Sequence, residues 1–210
     1  MDRTLSVAIL MFNQVEVLDF SGPFEVFSVA SRLAARDGDF AFPPFAVTLV
    51  SKTGGMVRAR HGLDLAVNAA MAAMPAPDVL IVPGGMVAKP LGDETVLDWI
   101  RQAHRTSAIT ASVCTGAFLL AKAGLLDGIA ATTHWEDIAD LRAAAPGTEV
   151  REGVPFVAQG RIVISADIAA GIGMSLHLVE RLASPALARR TARQMDYHWE
   201  PSEGAASGHR

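Results

Sequence analysis

One cysteine in 210 residues rules out an internal disulfide, and 18 lysines and arginines against 22 aspartates and glutamates leave no cationic excess. A net charge of -4 offers no basic field for a nucleic-acid backbone or an anionic membrane surface. No apolar run approaches the roughly 18 residues needed to span a bilayer, and the opening MDRTLSVAILMF lacks the cationic segment, apolar stretch and cleavage site of a secretory signal. These absences predict a cytoplasmic protein whose partners are a small-molecule substrate or copies of itself, with no nucleic acid and no membrane. His61, His104, His134, His177, His198 and His209 form no His-x-x-x-His pair, so with one cysteine no metal site is expected. Walker and dinucleotide-binding patterns are missing too, and no cofactor is expected.

What is present is apolar: 50% of residues are hydrophobic and 19% charged, which suits one core in a single domain. That domain is expected over residues 1–200, with a polar, disordered tail over 201–210. Leu5 to Phe12, Phe45 to Ser51, Asp78 to Val82 and Ala108 to Val113 are short, nearly continuous apolar runs, the pattern of strands buried on both faces. A short strand is expected near Leu63, another at AATTH, and a hairpin of PFVAQ and RIVISA about Gly160. Helical spacing predicts helices from Ser21-Gly22-Pro23 to about Ala35, and over Thr95–Arg105, Thr115–Leu126, Trp135–Ala145, Ala169–Leu182 and Pro185–Tyr197. Strands alternating with helices imply an α/β fold, a three-layer sandwich with a mainly parallel sheet covered by helices on both faces. Ligands in such sheets bind beyond the carboxyl ends of central strands, here after Phe12, Val82 and Val113.

Cys114 stands at one of those ends, between a buried strand and a helix. Helix-terminal N–H groups near its sulfur would favour the thiolate, and Gly116 permits a tight turn. A free cysteine is also among the residues most often simply buried, so position alone leaves nucleophile and core filler equally open. Pro83-Gly84-Gly85 follows a neighbouring strand with amides unencumbered by side chains, as an anion-stabilising site requires, although an ordinary glycine turn reads the same. Asp19, before the expected first helix, is either its N-cap or a general acid or base in the same crevice. Glu25 is the alternative carboxyl, inside that helix. His134 ends a short strand and is either a structural histidine or an acid–base partner to sulfur.

Four blocks, AILMFNQVEVLDFSGPFEVF, DVLIVPGG, SVCTGAFLLAKAGLLDGIAATTHW and RIVISADIAAGIGMSLHLVE, resemble in order the ThiJ/PfpI branch of the class I glutamine amidotransferase-like superfamily. Within it the chain is most similar to isocyanide (isonitrile) hydratases and to the amidase-like domain of AraC-type regulators. The resemblance implies a flavodoxin-like fold, a homodimer, Cys114 as elbow nucleophile and Asp19 as its hydrogen-bonded carboxyl. It further implies that Thr115 helps to hold the attacking water and that the Gly84 and Gly85 amides, with His134 and Ile168, face the substrate. Aspartate rather than glutamate at position 19 points to the hydratases, and threonine rather than histidine after the cysteine points away from Cys-His proteases and deglycases. One block departs: where hydratases read Gly-[Ile/Val]-Thr-Ala-Gly-Ile-Asp, this chain reads Asp167-Ile168-Ala169-Ala170-Gly171-Ile172-Gly173, which alters the crevice wall.

The activity implied is a hydro-lyase reaction that converts an isocyanide to an N-substituted formamide through a Cys114 thioimidate. A stand-alone small-molecule or redox sensor built on the same thiol is the second reading, and a cysteine amidase or glyoxalase-like enzyme the third. About a dozen polar residues follow Trp199, too few for a helix-turn-helix, so a DNA-binding regulator is not expected.

Overall fold

The apolar runs of the sequence become the middle of a seven-stranded sheet in the computed structural model, which describes residues 3–200; the tail expected at 201–210 lies outside the described residues. In chain order the elements are β1 (Leu5–Leu10), α1 (Val17–Asp37), β2 (Phe45–Ser51), β3 (Gly55–Arg58), β4 (Asp64–Val67), β5 (Ala69–Ala70) and β6 (Val79–Val82). They continue with α2 (Ala88–Leu91), α3 (Glu94–Thr106), β7 (Ile109–Val113), α4 (Gly116–Lys122), β8 (Ala130–Ala131), α5 (Ile138–Ala144) and β9 (Glu149–Val150). Last come β10 (Phe156–Gln159), β11 (Ile162–Ser165), α6 (Ala170–Leu182) and α7 (Pro185–Gln194). The strand order is β10-β11-β7-β6-β1-β2-β5, parallel except for the β10–β11 hairpin.

Side chains alternate across the central strands, and this period of two divides the core. Val7, Ile9, Val79, Ile81, Ile109 and Ala111 face one apolar layer, together with Phe27, Leu33, Leu176 and Leu187 from α1, α6 and α7. Ala8, Leu10, Leu80 and Val82 face the other, with Leu97 and Ile100 of α3, Leu119 and Leu120 of α4, and Leu141 of α5. The sandwich is therefore the α/β architecture expected from the sequence. Among the described residues no helix is long and apolar enough to cross a membrane.

Several boundaries differ from expectation, for local reasons. Helix α1 begins at Val17, four residues before Ser21, because Glu16 caps it by accepting the Val17 N–H at 3.3 Å. Pro23 then lies inside the helix, where its missing N–H leaves the Asp19 carbonyl without its usual partner. The strand near Leu63 is β4, and it pairs with β3, which the sequence reading missed, in a separate two-stranded sheet. AATTH contributes only Ala130 and Ala131 to a strand, leaving Thr132, Thr133 and His134 in the loop beyond it. Helix α4 stops at Lys122 before the left-handed Gly124, and α7 stops at Gln194, short of Tyr197.

Candidate active site

Three loops meet beyond the carboxyl ends of β1, β6 and β7, and each is tied to the next. The Glu16 N–H donates to the Gly84 carbonyl at 2.9 Å, and the Met86 N–H to the Gln14 carbonyl at 3.0 Å, which fastens the loop after β1 to Pro83-Gly84-Gly85. Gly85 adopts φ +126°, open to glycine alone at little cost. Gly116 lets α4 start against β6, since a Cβ there would fall on the Val82 carbonyl oxygen.

Cys114 sits at the junction with φ 53°, a left-handed conformation that a non-glycine residue adopts at a cost of about 1–3 kcal/mol. Its flanking groups hold it there. The Cys114 N–H donates to the Ser165 carbonyl at 3.1 Å, extending the β7–β11 ladder, while its own carbonyl accepts Thr133 Oγ1 at 3.1 Å and the Ala117 N–H at 3.3 Å. Thr133 is thus a positioning residue that sequence reasoning passed over; its only signal was a hydroxyl beside His134. Cys114 as a residue is 6% exposed.

Asp19 lies in the first turn of α1 and is fully buried, so the N-cap alternative falls to Glu16. Its Oδ2 accepts the Gly84 N–H at 2.9 Å, and its Oδ1 is buried with no hydrogen-bond partner. A Cβ on Gly84 would lie 2.8 Å from Asp19 Oδ2 and 2.7 Å from the Thr115 nitrogen, so the glycine is what lets these groups converge. Burial pushes the Asp19 carboxyl up to about 7; the Gly84 N–H opposes this, Glu16 adds to it, and Arg60, paired with Glu16 at 3.0 Å, weakly counters it.

The thiolate expected from the helix terminus does not prevail. Burial, reinforced by the neighbouring Asp19 charge, pushes the Cys114 thiol up to about 12, against the lowering effect of the Thr115 N–H and hydroxyl. Helix α4 is only seven residues long and delivers less than desolvation removes. The hydrogen bond between Asp19 and the Cys114 thiol implied by the resemblance is absent: Oδ2 is taken by the Gly84 N–H and Oδ1 has no partner, so the carboxyl acts on the sulfur through its charge.

The remaining candidates divide. Thr115 Oγ1 accepts the Gly85 N–H at 2.9 Å and donates to the Gly85 carbonyl at 3.0 Å, leaving one acceptor lone pair for a water. The Gly84 and Gly85 amides are consequently engaged by Asp19 and Thr115 and orient those side chains, where the sequence reading had them facing substrate. His134 faces carboxylates, with Nδ1 3.6 Å from Asp137 and 3.8 Å from Glu136 and Nε2 4.0 Å from Asp167. Ile168 is half-buried against the α1, α6 and α7 layer. Glu25 is exposed on α1 and is not brought into the crevice.

Residues 5–181 match the DJ-1/PfpI family. The chain belongs to that family. It is 34% identical over 196 residues to isonitrile hydratase from Pseudomonas putida, covering 92% of this chain and 78% of that protein. It is 28% identical over 185 residues to the HTH-type transcriptional regulator CdhR from Pseudomonas aeruginosa; the match covers 88% of this chain but 53% of the regulator, so the chain spans about half the regulator's length. Among solved structures, a ThiJ/PfpI family protein from Pseudomonas syringae superposes with a TM-score of 0.82 at 24% identity, covering 98% of this chain and 80% of that one. Drosophila melanogaster DJ-1beta does so with a TM-score of 0.79 at 18% identity over 93% of this chain and 100% of the other. The DJ-1/PfpI fold is thereby fixed.

Proposed function

We propose that this DJ-1/PfpI protein is an enzyme that adds water to an isocyanide to give the N-substituted formamide. The observation that carries the reading is a fully buried Asp19 carboxyl with an unpartnered Oδ1, pushed up to about 7 by burial, near Cys114 held at φ 53° on the strand–helix elbow. Asp19 carboxylate takes the thiol proton as sulfur bonds to the terminal isocyanide carbon, then delivers that proton to the same carbon, leaving a thioimidate. A water held by the free lone pair of Thr115 Oγ1 adds to this carbon, with Asp19 accepting one of its protons and returning it to nitrogen. The tetrahedral adduct then loses its hydroxyl proton, breaks the C–S bond and releases the formamide as sulfur recovers a proton. Each positioned proton transfer is expected to contribute about 100-fold or more.

The similarity to isonitrile hydratase over nearly the whole chain supports this reading. A redox sensor built on the same thiol is the second reading, less well supported because oxidation also follows exposure and Cys114 is buried. A Cys-His hydrolase is disfavoured because His134 is engaged among Glu136, Asp137 and Asp167. We also propose a cytoplasmic homodimer, on the family resemblance. The test is formamide production from an aryl isocyanide: the wild-type protein should turn over many equivalents and Cys114→Ala none. Turnover by Cys114→Ala would remove the proposal.

A further inference from the structure

The β3–β4 hairpin stands outside the main sheet, yet it is tied to the loop that precedes α1. The Gln14 N–H donates to the Arg58 carbonyl at 2.7 Å, the Arg58 N–H to Asn13 Oδ1 at 2.9 Å, and the Arg60 N–H to the Val15 carbonyl at 3.0 Å. A fourth contact joins side chains, with Arg60 Nη1 donating to Glu16 Oε2 at 3.0 Å. Among these anchors Gln14 takes φ 69°, a left-handed conformation held from the hairpin on one side and from Met86 on the other.

Glu16 is where the hairpin meets the site. Its Oε1 caps α1 at Val17, three residues before the turn reaches Asp19, while its N–H donates to the Gly84 carbonyl. The same Gly84 donates its N–H to Asp19 Oδ2, so one glycine links the two acidic residues. The Arg60 and Glu16 side chains are 41% and 20% exposed, and an ion pair this open adds little to stability. Its effect falls on the neighbouring carboxyl instead. Behind burial, and the Gly84 N–H that opposes it, Glu16 pushes the Asp19 carboxyl up and Arg60 pushes it down.

Few other charges reach this point. Cys114 faces it from the elbow, Arg58 of the hairpin is paired with Asp64, and His61 and Glu25 are exposed. Among the described residues packed on α1, β1 and β2 carry no charge and α6 has none before His177. Arg190 of α7 pairs with Asp37 and Asp39 at the far end of the helix.

We propose that Arg60 is a positioning residue for the reaction: by holding Glu16 it fixes the start of α1 against the glycine loop and shields Asp19 from the Glu16 charge. The proposal rests on the hydratase reading, because Asp19 is the group that moves protons there.

The experiment reads the pH midpoint of Asp19 in two ways. One is kcat/KM for an aryl isocyanide; the other is the Asp19 carboxyl signal in NMR of protein carrying isotope-labelled aspartate, assigned through Asp19→Asn. Arg60→Met leaves the Glu16 charge unshielded and should raise the midpoint by about half a pH unit, which is about a threefold loss of kcat/KM near pH 6. Glu16→Gln keeps an oxygen for the Val17 N–H but removes the charge, and should lower the midpoint by a similar amount. The double variant should fall between the two, and Arg60→Lys, which keeps the charge, should move the midpoint less than Arg60→Met. Where Arg60→Met does not fold, Arg60→Gln, which keeps a donor for Glu16, gives the same reading. A merely structural staple would lower kcat/KM without moving the midpoint. An unmoved midpoint, or one moved the same way by the Arg60 and Glu16 variants, overturns the proposal. The two readouts separate the claims. Midpoints that split in the NMR titration while no isocyanide is consumed keep the arrangement and remove the hydratase; isocyanide turnover with one common midpoint does the reverse.

Discussion

Asp78 and Asp19 lie at the two ends of the same strand, β6, and the fold treats them in opposite ways. Asp78, just before the strand, accepts the Ser6 N–H at 2.8 Å and Ser6 Oγ at 3.0 Å, and pairs with Arg3. Arg3 and Ser6 together outweigh partial burial and hold its carboxyl down at about 2. Asp19, beyond the other end, receives one N–H from Gly84 and is pushed up to about 7 by burial. A carboxylate given several donors fastens β1 to β6; one given a single donor in a dry site keeps the capacity to move a proton. The amino end of the sheet is thus built for stability, and the carboxyl end holds strained or under-partnered groups: φ 53° at Cys114 and the orphan Asp19 Oδ1.

Substitutions that neutralise each aspartate should have opposite consequences. The largest effect is expected on rate. Asp19→Asn keeps an acceptor for the Gly84 N–H but cannot shuttle protons, so kcat/KM for isocyanide hydration should fall by about 100- to 10,000-fold. In the wild type that parameter should rise with pH through about 7 as Asp19 ionises, and this rise should vanish in the variant, as initial rates between pH 5 and 9 would reveal. The next effect is on stability. Because the folded carboxyl holds its proton more tightly than the unfolded one, this group's contribution is fully present below about 4 and is lost as pH rises to about 7. Asp19→Asn should therefore raise unfolding free energy by about 2 kcal/mol at pH 8 and by much less at pH 4, measured by urea denaturation.

Asp78→Asn should do the reverse, lowering stability by about 1–2 kcal/mol at neutral pH through weakened charge-assisted bonds. For this group the folded value is depressed, so its contribution is present above about 4 and fades as pH falls toward 2. The same urea series compared at pH 7 and pH 3 should show the gap between variant and wild type narrowing. The smallest effect expected is for Thr133→Val, which removes the hydroxyl held by the Cys114 carbonyl. About 1 kcal/mol of stability should be lost, with a several-fold drop in turnover because the hydroxyl no longer holds the Cys114 carbonyl.

Much of this arrangement was legible in the sequence because it rests on local pattern. The runs at Leu5, Asp78 and Ile109 give the parallel core, and Cys114 falls at a strand–helix junction whichever way their boundaries are drawn. The β3–β4 hairpin was half visible, since Met56 is exposed and Gly55–Arg58 shows too little alternation to read as a strand. Asp19 was read as a helix cap or a catalyst because Pro23 resembles a helix start; only the Glu16 cap and the packing of α1 place the carboxyl inside the first turn. The thiol's high proton affinity was invisible, for it depends on burial and on Asp19, 95 positions earlier in the chain. Thr133 reaches Cys114 through the loop after β8, a contact that no spacing rule encodes.

That burial and the Asp19 charge hold the Cys114 thiol high can be measured directly, because the chain has a single cysteine and thiol alkylation reports on it alone. The rate of iodoacetamide modification, followed by mass spectrometry in the native protein between pH 6 and 11, should stay low at pH 8 and keep climbing toward a midpoint of about 12. Asp19→Asn should move that midpoint down, because the neighbouring negative charge is gone. A thiol that already titrates near or below the free-cysteine value of about 8.5, with no response to Asp19→Asn, would contradict the coupling on which the proposed chemistry stands.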